Sequence, residues 1–197
     1  MRTIIWNPLT GEQIVLERMA AETGGRLLSF ELRLEPGGHV PASHVHPEQE
    51  ERFTVLEGRM RFRRGLHVLV AGPGETVAVP PGTVHRFANA GDGPVRAHVE
   101  VRPALRMQEL LEVTAELART GRTLSNGMPR PLDLALFLRE FEREIAVPFV
   151  PAGLVRAATR PLARMAVRRR LDAPYRREQD RSATGGMMVR PAGSAAR

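Results

Sequence analysis

The 197-residue chain contains no cysteine, which excludes a disulfide framework, a thiolate zinc site, an iron–sulfur cluster and a cysteine nucleophile. It contains no lysine either, so all 29 basic residues are arginine. Aromatic residues make up only 5% of the chain, with one Trp and one Tyr, too few for the interleaved stacking surface of a single-strand nucleic-acid binder. No run of about 18 apolar residues occurs, and the first residues lack an apolar signal core. The expectation is therefore a cytoplasmic protein.

The formal charge of +7 is unevenly spread. Residues 1–103 carry 12 Arg and 12 acidic residues, residues 104–145 carry 6 and 7, and residues 146–197 carry 11 and 3. Basicity is a property of the last quarter, which argues against specific nucleic-acid recognition by a folded domain. A membrane surface or an anionic partner for the basic end is the alternative. Arg156, Arg160, Arg164 and Arg168 recur at four-residue spacing opposite Leu154, Val155, Ala158, Leu162 and Met165. The preferred reading is a solvated face over an apolar stripe packed on the barrel, because Pro161 interrupts a continuous lipid-binding surface.

Apolar residues at 42% and charged residues at 26% are globular values, and 18 Gly with 16 Pro suit many short strands. From Thr3 to Arg102 the pattern has period two. Leu28, Phe30, Leu32 and Leu34 share one strand face, as do Phe53 and Val55, Met60 and Phe62, Val77 and Val79, and Val95, Ala97, Val99 and Val101. Turns at Pro36-Gly37-Gly38, Glu57-Gly58 and Pro80-Pro81-Gly82 separate them, giving seven or eight strands. After Pro103 the period becomes 3.6. Met107, Leu110, Leu111, Thr114, Leu117 and Ala118 predict a helix closed by Gly121; Pro131 and Asp133 open a second, with Leu134, Phe137, Leu138, Phe141 and Ile145 as its stripe. A third segment, 152–171, is expected to break at Pro161. The predicted layout is a β domain over 1–103, a helical extension over 104–172 and an unstructured Arg-rich tail over 173–197.

Two patterns carry chemistry. The first is Gly38-x5-His44-x-His46-x4-Glu51-x6-Gly58, and the second is Gly74-x5-Pro80-x-Gly82-x2-His85-x3-Asn89. His44 and His46, two residues apart, leave the same face of an extended strand roughly 7 Å apart along the backbone. Glu51 is in phase with inward Phe53 and Val55, and His85 with Phe87. Glu50 also neighbours this position, but only Glu51 leaves six residues before Gly58. Three imidazole nitrogens and a carboxylate can hold one divalent ion, Fe, Mn, Ni, Cu or Zn, and leave a position for a guest. Phe30, Phe53, Phe62 and Phe87 are core candidates that would also line a substrate cavity beside it. His39, His67 and His98 are expected near or on the surface, and Asn89 in a turn.

In these residues the chain resembles the cupin superfamily: Gly38–Gly58 is similar to the first cupin motif and Gly74–Asn89 to the second. The resemblance implies a mainly β, double-stranded β-helix (jelly-roll) barrel with one metal ion held by His44, His46, Glu51 and His85 inside its mouth, followed by a small α-helical extension. It also implies a homodimer and a small-molecule substrate. The function expected is that of a mononuclear metal-dependent enzyme of the dioxygenase or oxidoreductase type. The alternatives are a metal-dependent isomerase or hydrolase, and a non-catalytic binding or sensing module.

Overall fold

The computed structural model describes residues 3–176. Among them are nine strands: β1 (Ile4–Asn7), β2 (Glu12–Arg18), β3 (Leu28–Leu34), β4 (Glu50–Glu57), β5 (Met60–Arg64), β6 (His67–Ala71), β7 (Thr76–Val79), β8 (His85–Asn89) and β9 (Val95–Arg102). They form a six-stranded sheet ordered β1-β2-β3-β9-β4-β7 and a three-stranded sheet ordered β6-β5-β8. All pairings are antiparallel, and the two sheets face each other as a jelly-roll barrel, the architecture that the motifs imply.

The period-two faces decide which side is inside. Register places Leu28 opposite Val101, Phe30 opposite Val99, Leu32 opposite Ala97 and Leu34 opposite Val95, and all eight are buried. Such directly opposed apolar pairs are the unit of sheet stabilisation. The β1–β2 hairpin is an addition to the strands expected from the pattern. Gly11, at φ 66°, turns the chain, and Ile14 and Leu16 join the inner face.

Gly58 sits between β4 and β5 at φ 76°. A Cβ there would lie 2.7 Å from the Pro94 carbonyl oxygen and 2.8 Å from Val95 Cγ2, a clash with backbone as well as a left-handed conformation. Gly58→Ala is therefore expected to cost about 2 kcal/mol or more. Urea denaturation is the check, and a midpoint unchanged from the parent would contradict it.

Three helices follow: α1 (Met107–Arg119), α2 (Pro131–Glu140) and α3 (Ala152–Arg168). At the end of α1 the Gly121 N–H donates to Ala118 O (3.2 Å) and the Arg122 N–H to Leu117 O (2.8 Å). Gly121 has φ 66°, as a C′ glycine requires. Asp133 in the first turn of α2 is buried against the Arg122 guanidinium, which also donates to Leu171 O.

Two helix expectations are corrected. The stripe predicted through Ile145 ends early: α2 stops at Glu140, and the chain then turns so that Ala146 and Val45 exchange backbone hydrogen bonds (2.8 and 3.2 Å). α3 runs unbroken through Pro161, whose ring is exposed. Its buried residues are Thr159, Ala163 and Ala166, and it packs on α2 rather than on the barrel. Leu154 and Met165 of the predicted stripe are 63% and 38% exposed. Small side chains let two helices approach closely, so the contact selects Ala163 and Ala166 over the larger apolar residues.

Most of the tail expected to be unstructured, from residue 177 on, lies outside the described residues. Ala173–Arg176 form a helical turn, and Tyr175 within it is buried. The Tyr175 hydroxyl donates to Asp133 O (3.2 Å). Among the described residues no helix is long and apolar enough to cross a membrane.

Candidate metal centre

His44 and His85 form an isolated antiparallel bridge: each N–H donates to the other's carbonyl, at 3.0 and 2.9 Å. Residues paired in this way project their side chains to one face, and the two ring centroids are 4.3 Å apart. His46, two residues on, projects to the same face, with its ring 4.8 Å from His44 and 5.2 Å from His85. Glu51 comes from β4 in the other sheet, in phase with buried Phe53 and Val55. The four residues named by the motifs thus converge from both sheets, and all are buried.

Each imidazole is oriented by its far nitrogen. His44 Nδ1 lies 3.1 Å from Ala42 O, His85 Nδ1 3.1 Å from Thr83 O, and His46 Nδ1 hydrogen-bonds Glu144 O. A carbonyl only accepts, so each Nδ1 carries a hydrogen and each Nε2 turns inward, able to give its electron pair to an ion or, where it too is protonated, a hydrogen bond to Glu51. Glu51 Oε2 is 2.9 Å from His85 Nε2 and 3.3 Å from His46 Nε2. The His46 Nε2 is buried without a hydrogen-bond partner.

The electrostatics follow from this crowding. Burial, reinforced by His46 and His85, pushes His44 down to about 3. Burial also opposes charge on His46, yet neighbouring Glu51 outweighs it and raises His46. Glu51, although buried, is held well below the usual carboxylate range by His46 and His85. Electron-pair donors facing one another out of water need a cation between them, a metal ion or else a proton shared between Glu51 and a neighbouring imidazole. The donor atoms lie within 4.8 Å of one another, whereas ligands on opposite sides of a first-row ion stand about 4.2 Å apart. Side-chain shifts of a few tenths of an ångström close that difference, and the four residues could hold one metal ion.

The centre opens onto a cavity of about 340 Å³. Phe30, Phe53 and Phe87 line it from the barrel. Phe62, grouped with them from sequence, does not: it is buried in the core behind Phe53, with ring centroids 5.2 Å apart. The opposite wall is helical, built from Met107, Leu110 and Thr114 of α1, Leu134, Phe137 and Leu138 of α2, and Ile145–Pro148. The sequence reading missed that wall, and with it the Glu144 carbonyl that orients His46.

Also missed was Glu12, which lines the cavity beside His44, His46 and Glu51. Its signal was the phase it shares with Ile14 and Leu16, visible only once β2 is placed. Loss of solvent pushes its carboxyl up to about 7, against the opposing Thr10 hydrogen bond and the attraction of His39.

The remaining candidates lie outside the cavity wall. His39 Nδ1 faces Gly37 O (3.0 Å), His67 is exposed, and His98 pairs with Glu17 on the outer face (2.8 Å). Glu50 pairs with Arg52 (3.2 Å). The Asn89 amide donates to the carbonyls of Leu34, Glu35 and Gly93 and accepts from the Gly91 N–H, a turn-holding role.

Residues 30–101 match the family model of the cupin domain. None of the curated proteins matches the chain. Solved structures that do include a sugar phosphate isomerase from a cupin superfamily of Silicibacter pomeroyi, 27% identical, with 52% of this chain and 70% of that chain covered and a TM-score of 0.44. An uncharacterized conserved protein with a double-stranded β-helix domain from Klebsiella pneumoniae is 26% identical over 48% of this chain and 76% of its own, at a TM-score of 0.40. An RmlC-like cupin from Shewanella frigidimarina is 16% identical over 55% and 89%, at 0.48.

Proposed function

Residues 30–101 form a cupin domain, and on that premise we propose that the chain is a mononuclear metal-dependent enzyme that oxidises a small, mainly apolar organic molecule with dioxygen. His44, His46, Glu51 and His85 would hold the ion. When bound there, iron, manganese, nickel or copper supplies redox and Lewis-acid chemistry, and zinc Lewis-acid chemistry alone. The observation that carries this reading is the apolar cavity that ends on His44, His46 and Glu51, three of the four inward donors.

The protein's own residues bind the guest and exclude water. Phe30, Phe53 and Phe87 on one side and Leu110, Phe137 and Leu138 on the other offer apolar contact, and a volume near 340 Å³ suits a guest at the small end of ligand pockets. Among the described residues no arginine lines the cavity, so an anionic group would have the bound ion as its only cationic partner. A second reading, a metal-dependent isomerase, is favoured by Glu12, a carboxyl in the same cavity that can accept and return a proton.

Metal analysis of protein purified without chelator, followed by dioxygen uptake with phenols, diketones and thiols, tests the reading. One ion per chain and metal-dependent uptake are expected. Conversion without uptake would give the isomerase reading preference, and melting shifts without conversion would leave a binding module.

We further propose that two copies pair through β6. It is an edge strand of the small sheet, with Val68 and Val70 at 63% and 41% exposure and Leu66 in the turn before it at 91%. Uncovered apolar edges of this kind invite strand pairing. Val68→Glu is expected to shift the protein from dimer to monomer in sedimentation; a parent that sediments as a monomer would refute the pairing.

A further inference from the structure

The inner face of β2 carries Glu12, Ile14 and Leu16 in phase, with Glu12 opposite buried Leu34 of β3. A carboxylate at a position patterned for an apolar side chain is a local inconsistency, and such inconsistencies concentrate at functional sites. Its surroundings do not explain it as a structural ion pair. Glu31, by contrast, is held by Arg96 and Arg33. Glu12 has one hydrogen bond, from Thr10 Oγ1 to Oε2 at 2.6 Å, and among the described residues no arginine pairs with it and its Oε1 accepts nothing. The groups that face it are Thr10, His39 and Glu51. Thr10 is itself fixed: it is buried, its carbonyl accepts the His39 N–H (3.0 Å), and Gly127 of the α1–α2 loop packs against its methyl group.

We propose that Glu12 is the proton acceptor of this cavity, and that the substrate is a neutral molecule bearing an acidic O–H or C–H next to an oxygen donor, a phenol or an enolisable dicarbonyl. The proposal rests on the metal-dependent reading above. The substrate's O–H or C–H bond breaks, its electron pair stays on the substrate, and the proton forms a new O–H bond on the Glu12 carboxylate. The substrate becomes an anion whose oxygen is a better donor to a cation, and Glu12 becomes neutral. The charge inside the cavity is moved but not increased. That conservation matters where, among the described residues, no arginine lines the wall: a guest arriving as an anion would have the bound ion as its only cationic partner.

The zinc-loaded protein tests this without turnover, with acetylacetone and phenol as probes at a pH where each is neutral in solution and the Glu12 carboxyl is ionised. The parent is expected to bind a probe and shift its ultraviolet or visible spectrum to that of the anion. Glu12→Gln should retain one zinc per chain and a cooperative unfolding transition, bind the probe at least tenfold more weakly and leave it neutral, while Glu12→Asp restores part of the shift. An anionic probe bound equally well by Glu12→Gln would overturn the role of Glu12. A zinc-loaded parent that converts neither probe to its anion would overturn the substrate class. A parent that holds no zinc would instead refute the metal centre on which both depend.

Discussion

Replacing His85 by alanine is expected to abolish stoichiometric metal binding and, with it, any stabilisation by added zinc. The centre has four donors, three of them set by carbonyls behind the rings. Loss of an orienting partner alone typically costs 10- to 100-fold in metal affinity, and loss of a donor should cost more. The parent in zinc at 100 times its dissociation constant should gain about 2.7 kcal/mol, a rise of several degrees in melting temperature, whereas His85→Ala should gain nothing. The control is Glu50→Gln. Glu50 neighbours the donor in sequence but faces Arg52 outside, so its loss should leave metal content intact. If His85→Ala held as much zinc as the parent, the cluster would not be the binding site.

The barrel was largely legible because its information is local. Strict alternation in β3 and β9 names the inner face, and turn residues at Gly37-Gly38, Gly58 and Gly82 punctuate the strands. The donor set was legible for the same reason: i and i+2 spacing puts His44 and His46 on one face, and phase with Phe53 turns Glu51 inward. The bridge that sets His85 against His44 is a long-range pairing, and only the motif resemblance pointed to it. The β1–β2 hairpin was not separated into strands, since Ile4, Trp6 and Leu9 remain partly exposed and blur the alternation on which such readings rest.

Beyond Pro103 the pattern named apolar faces but not what they would meet. Leu110, Phe137 and Leu138 read as helical core, and they wall a cavity. Apolar periodicity cannot distinguish contact with a side chain from contact with a ligand. The early end of α2 has no stop signal in the sequence; it follows from tertiary pairing of Ala146 with Val45 and from delivery of the Glu144 carbonyl to His46. Phe62 was misplaced for a related reason. Inward direction is set by phase, but which inward ring meets the cavity depends on what packs over it, and Phe53 lies between Phe62 and the cavity.

Glu12→Gln is expected to stabilise the metal-free protein at alkaline pH by up to about 3 kcal/mol and to leave it unchanged in acid. The sign follows from linkage. The folded-state value stands at about 7 against an ordinary 4.5. Below the unfolded value both states hold the proton, so the carboxyl costs nothing and Gln gains nothing. Between the two values the unfolded chain releases its proton while the folded protein keeps it, and stability falls as pH rises. Above about 7 the folded protein ionises as well, and the full cost, at most about 3 kcal/mol at 1.36 kcal/mol per pKa unit, remains. Glutamine keeps the shape and an oxygen for the Thr10 hydroxyl, but is neutral throughout. Urea denaturation of both proteins at pH 4, 6 and 8 should show the two curves together at the first, separating at the second and furthest apart at the third. A difference independent of pH would mean that Glu12 is solvated like any surface carboxylate. A residue that weakens the fold in the range where it is charged, at the wall of a cavity that ends on His44, His46 and Glu51, is the kind that stability alone would have replaced.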